Sequence, residues 1–530
     1  MSPEVMLRKL PRTSSALVLA VLFVLFNSHA VTGQEQHRPE EQHAPEANKP
    51  EGQQPVPPER TSVTKHDLVL DGRTLHYTAT AGTLLIRDGE DEHPYGSMFY
   101  VAYTLDGADP NTRPVTFLYN GGPGSSTIWL HMGSVGPVRV VTNSPNATGP
   151  APYQVVPNQN CLLDKSDLVF IDAPLTGFSR VVGKGTPKDF TGVDQDLKAF
   201  DKFITRWVTV NQRWNSPKYL FGESYGTTRS AGLSDLLQND GLPLNGVILL
   251  SSILNYYVMA PGLDIDYIGN LPSYAAIAWY HNKLQNKPAD LRAFLKEVRA
   301  FARGEYADAL EQGDQLPPDR FNAVAEKVAQ YTGLSAQYVR EANLRVNASR
   351  FRKELLRDEG DILGRYDARF EGTDVDNAGE YPGYDPSDTG ISGAFTAAFH
   401  NYLERELKYE TTDTYRPMTE VIREWDWHHR PPGGMRGFGG LQQMPYVAGD
   451  LADAMRKDPK MKVFSANGYF DLATPFFLTE MDLSHMMLAP GLQKNVEFGY
   501  YPAGHMVYLN VDALKELKHD LVGFYDETEH

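Results

Sequence analysis

The sequence predicts an α/β fold: a mostly parallel central sheet with helices on both faces and a helical cap insertion. Three observations carry this. Short apolar runs of buried-strand type recur at 115–119, 168–171, 218–221, 246–250, 462–466 and 496–500. Between them lie stretches with helical spacing, such as Leu197, Phe200, Ile204, Trp207 and Val208, and strands alternating with helices imply a largely parallel sheet. From 256 to 440 the alternation stops and helical stripes take over.

In chain order, the first 33 residues read as a secretory signal peptide. Arg8, Lys9 and Arg12 precede an apolar run over 16–26, and the small residues Ser28 and Ala30 follow. That run is too short for the roughly 20 residues a spanning helix needs, so no stable membrane insertion is expected. The cleavage site falls near Ala30 or Gly33. Residues 34–60 are rich in Glu, Gln, Pro and His and poor in large apolar side chains, which predicts a disordered linker.

A first core segment is expected over 61–255. It opens with β-type runs at 68–70, 75–77, 83–86 and 97–103, with Asp71-Gly72 and Asp106-Gly107 as hairpin-like turns. The insertion, 256–440, holds three apolar stripes. These are Leu291, Phe294, Leu295, Val298 and Phe301; Phe321, Val324, Ala325 and Val328, with Gly333 as a stop; and Phe395, Phe399, Tyr402, Leu403 and Leu407. A Gly/Pro-rich stretch, 431–440, returns the chain to a second core segment, 441–530.

Composition narrows the function. The chain has 530 residues, is 41% hydrophobic and 22% charged, and carries a formal net charge of −17. That charge argues against a nucleic-acid partner, which would require a cationic footprint. The single cysteine, Cys161, rules out an intrachain disulfide. It reads as a buried filler. Stability must therefore come from the core, which a chain this long can build.

The sharpest motif is Gly222-Glu223-Ser224-Tyr225-Gly226, a G-x-S-x-G between an apolar strand and a helix-compatible stretch. This is the setting of a nucleophile elbow on an α/β-hydrolase sheet, with the Ser224 hydroxyl exposed at a sharp turn. A serine needs a base, and the base needs a carboxylate to orient it. On such a sheet they follow in the order Ser, Asp or Glu, His. Asp471 follows the 462–466 strand and His505 follows the 496–500 strand, 34 positions later. A tetrahedral oxyanion needs donors. The Tyr225 N–H is one, and Gly122, in Asn120-Gly121-Gly122-Pro123-Gly124 after the 115–119 strand, supplies the second.

Taken in order, Asn-Gly-Gly-Pro-Gly, Gly-Glu-Ser-Tyr-Gly, Gly-x-x-Asp and Gly-His-Met resemble the serine carboxypeptidase family. So do Asp172-Ala173-Pro174 and Gly177-Phe178-Ser179. The resemblance spans roughly residues 70–515. It implies release of one residue from the C-terminus of a peptide through an acyl-enzyme, with no cofactor. It also implies that Asn120, Gly121 and Glu223 hold the substrate's terminal carboxylate, with a protonated Glu223 donating to it and activity favoured at mildly acidic pH. The chain departs from the pattern in three places. Ser125-Ser126-Thr127 replaces Cys-Ser-Ser, Leu118 replaces a tryptophan, and Ser134 falls where a second glutamate pairs with the one before the serine. The family's eukaryotic members are disulfide-rich, so a single-cysteine exported version implies a bacterial periplasmic or secreted protein.

Adjacent His428 and His429 beside Asp426 do not predict a metal site, because neighbouring side chains point apart. Trp425 and Trp427 read as packing or pocket residues. Two rivals share the scaffold. An esterase or acyltransferase would use the same triad without the carboxylate clamp, and a binding protein on a dead hydrolase would lack a triad member.

Overall fold

The computed structural model describes residues 54–431 and 440–528. The signal-peptide segment, most of the linker and nearly all of the Gly/Pro return lie outside them. Nine strands form the spine of the sheet: β1 (Thr61–Leu70), β2 (Arg73–Asp88), β3 (His93–Leu105), β4 (Val115–Tyr119), β5 (Asp167–Ile171), β6 (Lys218–Ser224), β7 (Gly246–Ser252), β8 (Lys462–Gly468) and β9 (Val496–Tyr501). Their spatial order is β1-β2-β3-β5-β4-β6-β7-β8-β9, with a short strand Arg180–Val181 beside β3. β1, β2 and β3 pair antiparallel, and β3 pairs antiparallel with β5. Every later pairing along this path is parallel. This is the expected α/β arrangement, with an antiparallel edge.

The central strands are buried along their whole length, as in β4, β5 and β7. Helices covering both faces explain why these strands read as continuous apolar runs rather than alternating ones. The runs at 75–77 and 83–86 are one strand, the 16-residue β2, because the intervening Thr and Ala residues still pair with β3. Asp71-Gly72 is a two-residue hairpin turn, with both residues at positive φ. Asp106-Gly107 is not a hairpin, because the strand that follows it, β4, pairs with β5 and β6 instead.

Two boundaries differ from the sequence expectation. Residues 54–60, assigned to the disordered linker, are tied to the core. Gln54 exchanges backbone bonds with Gly183 at 2.9 and 3.1 Å, and the Glu59 carboxylate accepts from Leu85 N–H and from Arg206. The insertion is also not one cap. Its helices over Ile265–Tyr280, Leu291–Phe301 and Pro318–Thr332 share a core of their own with Phe470, Phe476 and Phe477 from the second core segment. The third stripe, on Ser392–Arg405, belongs to the main core instead. Phe395 packs on Trp129 and Tyr402 meets the Tyr103 hydroxyl. Gly333 ends its helix in the left-handed conformation, as expected.

After Ser392–Arg405 the chain runs as an extended strap rather than a helical cap. Its backbone bonds Gly177, Ser126, Gly124 and Val193 in turn. His429 fastens the far end. Its ring is fully buried, with Nδ1 2.7 Å from Asp194 and Nε2 2.7 Å from Asp450. Both ring nitrogens therefore meet carboxylates, and no group of three or more metal-ligating side chains occurs among the described residues. Burial disfavours the imidazolium, but the two carboxylates outweigh it and hold the His429 pKa at about 9. The folded value exceeds the unfolded one of about 6.5. The stabilisation is thus complete below pH 6.5 and lost as pH rises through 9. A His429→Gln variant is expected to be about 2–3 kcal/mol less stable near pH 6, with the gap closing toward pH 9. Denaturant melts across that range check this; a pH-independent gap would show that the charge is not the cause.

Candidate active site

Ser224 ends β6 at φ 61°, ψ −130°, a conformation disfavoured for a residue with a Cβ. The turn is tight enough that a Cβ on Gly222 would sit 2.1 Å from the Gly226 carbonyl oxygen. This is the strand-turn-helix elbow expected from the motif. The helix α1 (Tyr225–Asn239) follows at once, so the Tyr225 N–H is among the first-turn donors that lack an intrahelical acceptor.

The Asn120 loop lies against this elbow. A Cβ on Gly121 would be 2.4 Å from the Tyr225 nitrogen, so only glycine allows the two turns to abut. Asn120 is buried, and its Oδ1 accepts the Leu130 N–H at 2.9 Å. Its backbone carbonyl accepts from Arg229 at 2.9 Å. Arg229 is wholly buried, paired with Asp196 through two bonds at 2.8 and 3.1 Å, and lies over the Phe200 ring. Breaking such a pair leaves an uncompensated buried charge. This anchor was not legible in the sequence. An arginine in the helix that follows the elbow was the only trace.

Asp172, in the Asp-x-Pro segment, holds the start of the helix after the loop. Its Oδ1 accepts Thr127 N–H at 2.8 Å. A Cβ on Gly177 would strike its other oxygen, and Ser179 bonds its carbonyl at 2.9 Å, which accounts for the Gly-Phe-Ser that follows. Burial raises the Asp172 carboxyl to about 7.

Asp471 and His505 lie side by side after the ends of the paired strands β8 and β9. His505 Nδ1 donates to Asp471 Oδ2 at 2.8 Å. Asp471 Oδ1 accepts the N–H groups of Ala473 and Thr474 at 2.7 and 3.0 Å. The Thr474 hydroxyl lies 2.7 Å from Asp471 Oδ2 and 3.0 Å from His505 Nδ1. Since a carboxylate only accepts, Nδ1 carries the proton and the Nε2 lone pair remains available as a base. Burial lowers the His505 pKa, but the charge and hydrogen bond of Asp471 raise it more, leaving it above the ordinary value. Thr474, missed from the sequence, buttresses this pair.

Ser224, His505, Gly122, Tyr225, Asn120, Gly121 and Glu223 all line one cavity of about 400 Å³. A wider open groove of about 1090 Å³ lies along β9 and holds none of them. Asp471 stands behind His505. The cavity wall is largely apolar, with Trp129, Ile253, Tyr256, Met418, Ile422 and Trp427. Trp427 thus faces the cavity, while Trp425 is buried edge-on against Tyr225. The insertion contributes loops to this wall, not its long helices, which correct the expected helical roof.

Glu223 is buried, and neither its Oε2 nor the Tyr508 hydroxyl makes a hydrogen bond of full geometry among the described residues, although the Tyr508 hydroxyl and the Asn120 side chain lie close to the carboxyl. Burial is the main reason its pKa is raised to about 7, with His505, Tyr508 and Asn120 offsetting part of that. Ser134 does not face the site. Its hydroxyl turns back onto the Leu130 carbonyl at 2.5 Å. Glu223 thus has its raised pKa without a second glutamate. Cys161 is buried with its thiol pushed up to about 12, consistent with a packing role.

Fold and elbow together define an α/β-hydrolase-fold protein with a serine at the turn and an Asp–His pair on the following strand ends. The model of the serine carboxypeptidase family matches residues 78–287, a span that includes the Asn120 loop and Ser224 but not Asp471 or His505. A serine carboxypeptidase family member of Dictyostelium discoideum is 24% identical over 46% of this chain and 53% of its own length. Serine carboxypeptidase-like 33 of Arabidopsis thaliana is 27% identical over 35% of this chain and 37% of its own. The chain thus matches about half or less of the length of these relatives. In structure, the prohormone-processing carboxypeptidase Kex1Δp of Saccharomyces cerevisiae aligns over 85% of this chain and 91% of its own, at 15% identity and a TM-score of 0.50. Over residues 78–287 the chain is thus similar to the serine carboxypeptidase family, and over most of its length it shares the fold.

Proposed function

We propose that this protein is an exported serine carboxypeptidase that removes C-terminal residues from peptides through an acyl-enzyme on Ser224. Ser224 Oγ attacks the scissile carbonyl while His505 Nε2 takes its proton, and Asp471 holds the imidazolium. The oxyanion is received by the Gly122 and Tyr225 N–H groups. His505 then protonates the leaving amine, the C–N bond breaks, and water releases the acyl group by the reverse sequence. Export rests on the charged, apolar and small-residue order of the N-terminus. Among the described residues no helix is long and apolar enough to cross a membrane.

The observation that favours a carboxypeptidase over an esterase is Glu223. It is buried directly before the elbow serine, lines the cavity beside Asn120 and Gly121, and has an oxygen without a hydrogen bond of full geometry among the described residues. Below about pH 7 it is protonated and can donate to a substrate carboxylate; above, it is ionised and repels it. The kcat/KM for a blocked dipeptide with a free C-terminus should therefore fall above about pH 7, while that for its C-terminal amide should not. Glu223→Gln keeps a neutral donor at all pH values and should abolish the alkaline fall. Equal cleavage of acid and amide at every pH would favour an esterase or endopeptidase.

A further inference from the structure

We propose that Arg365 is the anion-binding side chain of the cavity and takes a carboxylate of the peptide substrate. That carboxylate is either the free C-terminus or the side chain of an acidic residue at the cleaved bond. The proposal rests on reading the site as a serine hydrolase that acts on peptides.

Among the described residues, Arg365 is the only lysine or arginine lining the cavity that holds Ser224 and His505. It comes from the insertion, but its backbone is built into the site. Its carbonyl accepts the Leu472 N–H at 3.1 Å, next to Asp471, and the carbonyl of the following Tyr366 accepts the His505 N–H at 2.6 Å. The Arg365 N–H is held by Asp385 at 2.9 Å. One tripeptide-length segment thus bridges the loops that carry both the Asp and the His of the candidate triad. A Cβ on Gly504 would collide with it, at 2.4 Å from the Tyr366 carbonyl oxygen.

The side chain, by contrast, is exposed and makes no ion pair among the described residues. Its guanidinium lies 5.3 Å from the Tyr366 ring centre, and that ring lies 5.3 Å from the His505 ring. Neither neighbouring carboxylate pairs with Arg365 in an ion pair, although Asp388 lines the same cavity. Asp385 Oδ1 accepts Arg365 N–H, Ser387 N–H and the Ser387 hydroxyl, and Asp388 accepts the Ser392 hydroxyl at 3.1 Å. A guanidinium with free donors, pinned at the backbone beside the reacting groups, matches a carboxylate in shape and charge. The charged groups that act on His505 are Asp471 and Glu223, which raise its pKa, and Arg365, which lowers it.

The test compares wild type, Arg365→Gln and Arg365→Lys on blocked dipeptides whose leaving residue is Glu or Gln, each as free acid and as amide. A hydrogen bond to a charged group is worth about tenfold or more in kcat/KM. If Arg365 holds the terminal carboxylate, Arg365→Gln should cut both free acids by that factor, mainly through KM, and spare both amides. If it holds the side chain, the Glu peptides should fall and the Gln peptides should not. Arg365→Lys should recover part of either loss. The acid limb of kcat/KM on a neutral ester should also move up in Arg365→Gln, because the charge that depresses His505 is gone. Unchanged kinetics, or an equal loss on charged and neutral substrates, would overturn the proposal. If wild type hydrolyses esters but no peptide, the peptidase reading fails. Arg365 is then judged on esters with and without a carboxylate on the leaving alcohol, by the same criteria.

Discussion

Replacing Ser224 with alanine is expected to lower kcat on a blocked dipeptide by about 10⁴–10⁶-fold. Serine is the one nucleophile that the elbow presents, at φ 61° on the strand end and in the cavity with His505. Alanine tolerates that backbone no worse than serine, so the variant should fold with unchanged thermal stability. The loss would then report chemistry alone. A fluorophosphonate probe should label the wild type at Ser224 and leave the variant unlabelled. Retained turnover, or labelling elsewhere, would remove Ser224 from the proposed mechanism and revive the reading of a binding protein on a hydrolase scaffold.

Asp471→Asn should lower kcat by about 10⁴-fold. Four donors converge on this carboxylate: the N–H groups of Ala473 and Thr474 on Oδ1, and the Thr474 hydroxyl and His505 Nδ1–H on Oδ2. An asparagine must place its NH₂ against one of these pairs. The less costly placement is toward Thr474 and His505, because the Thr474 hydroxyl can turn its proton to the Ser251 carbonyl, 2.9 Å away. The NH₂ then donates to His505 Nδ1 and forces the proton onto Nε2. That tautomer cannot accept the Ser224 proton. Imidazole-ring nitrogen NMR should show the tautomer reversed in the variant. An unaltered tautomer with kcat near wild type would mean that Asp471 does not orient His505.

The elbow, the Asn120 loop and the order Ser224, Asp471, His505 were legible because each depends on a local rule. A tight turn requires glycine at fixed offsets, and acid and base must follow strand ends. The parallel sheet was legible for a similar reason, since fully buried strands are unbroken apolar runs. Arg229 with Asp196, Thr474 and Arg365 were not. Their roles come from partners far along the chain, and no short pattern marks a buried ion pair or a segment wedged between two loops. The strap and its His429 clasp were hidden for the same reason. The extent of the cap was misjudged because helical periodicity reports that a face is buried, not what buries it. Ser392–Arg405 has the same stripe whether it covers a cap or the main core.

By itself the sequence determined the α/β class and where a nucleophile, an orienting acid and a base could stand. These follow from backbone sterics and from hydrophobic period, which act over a few residues. Only the tertiary structure decided the electrostatics of the site. Ser134 stands where a second carboxyl would have raised the Glu223 pKa, yet burial is the main cause of the shift and Ser134 faces away. Desolvation is a property of everything packed around a group, so it exists only once the chain has folded.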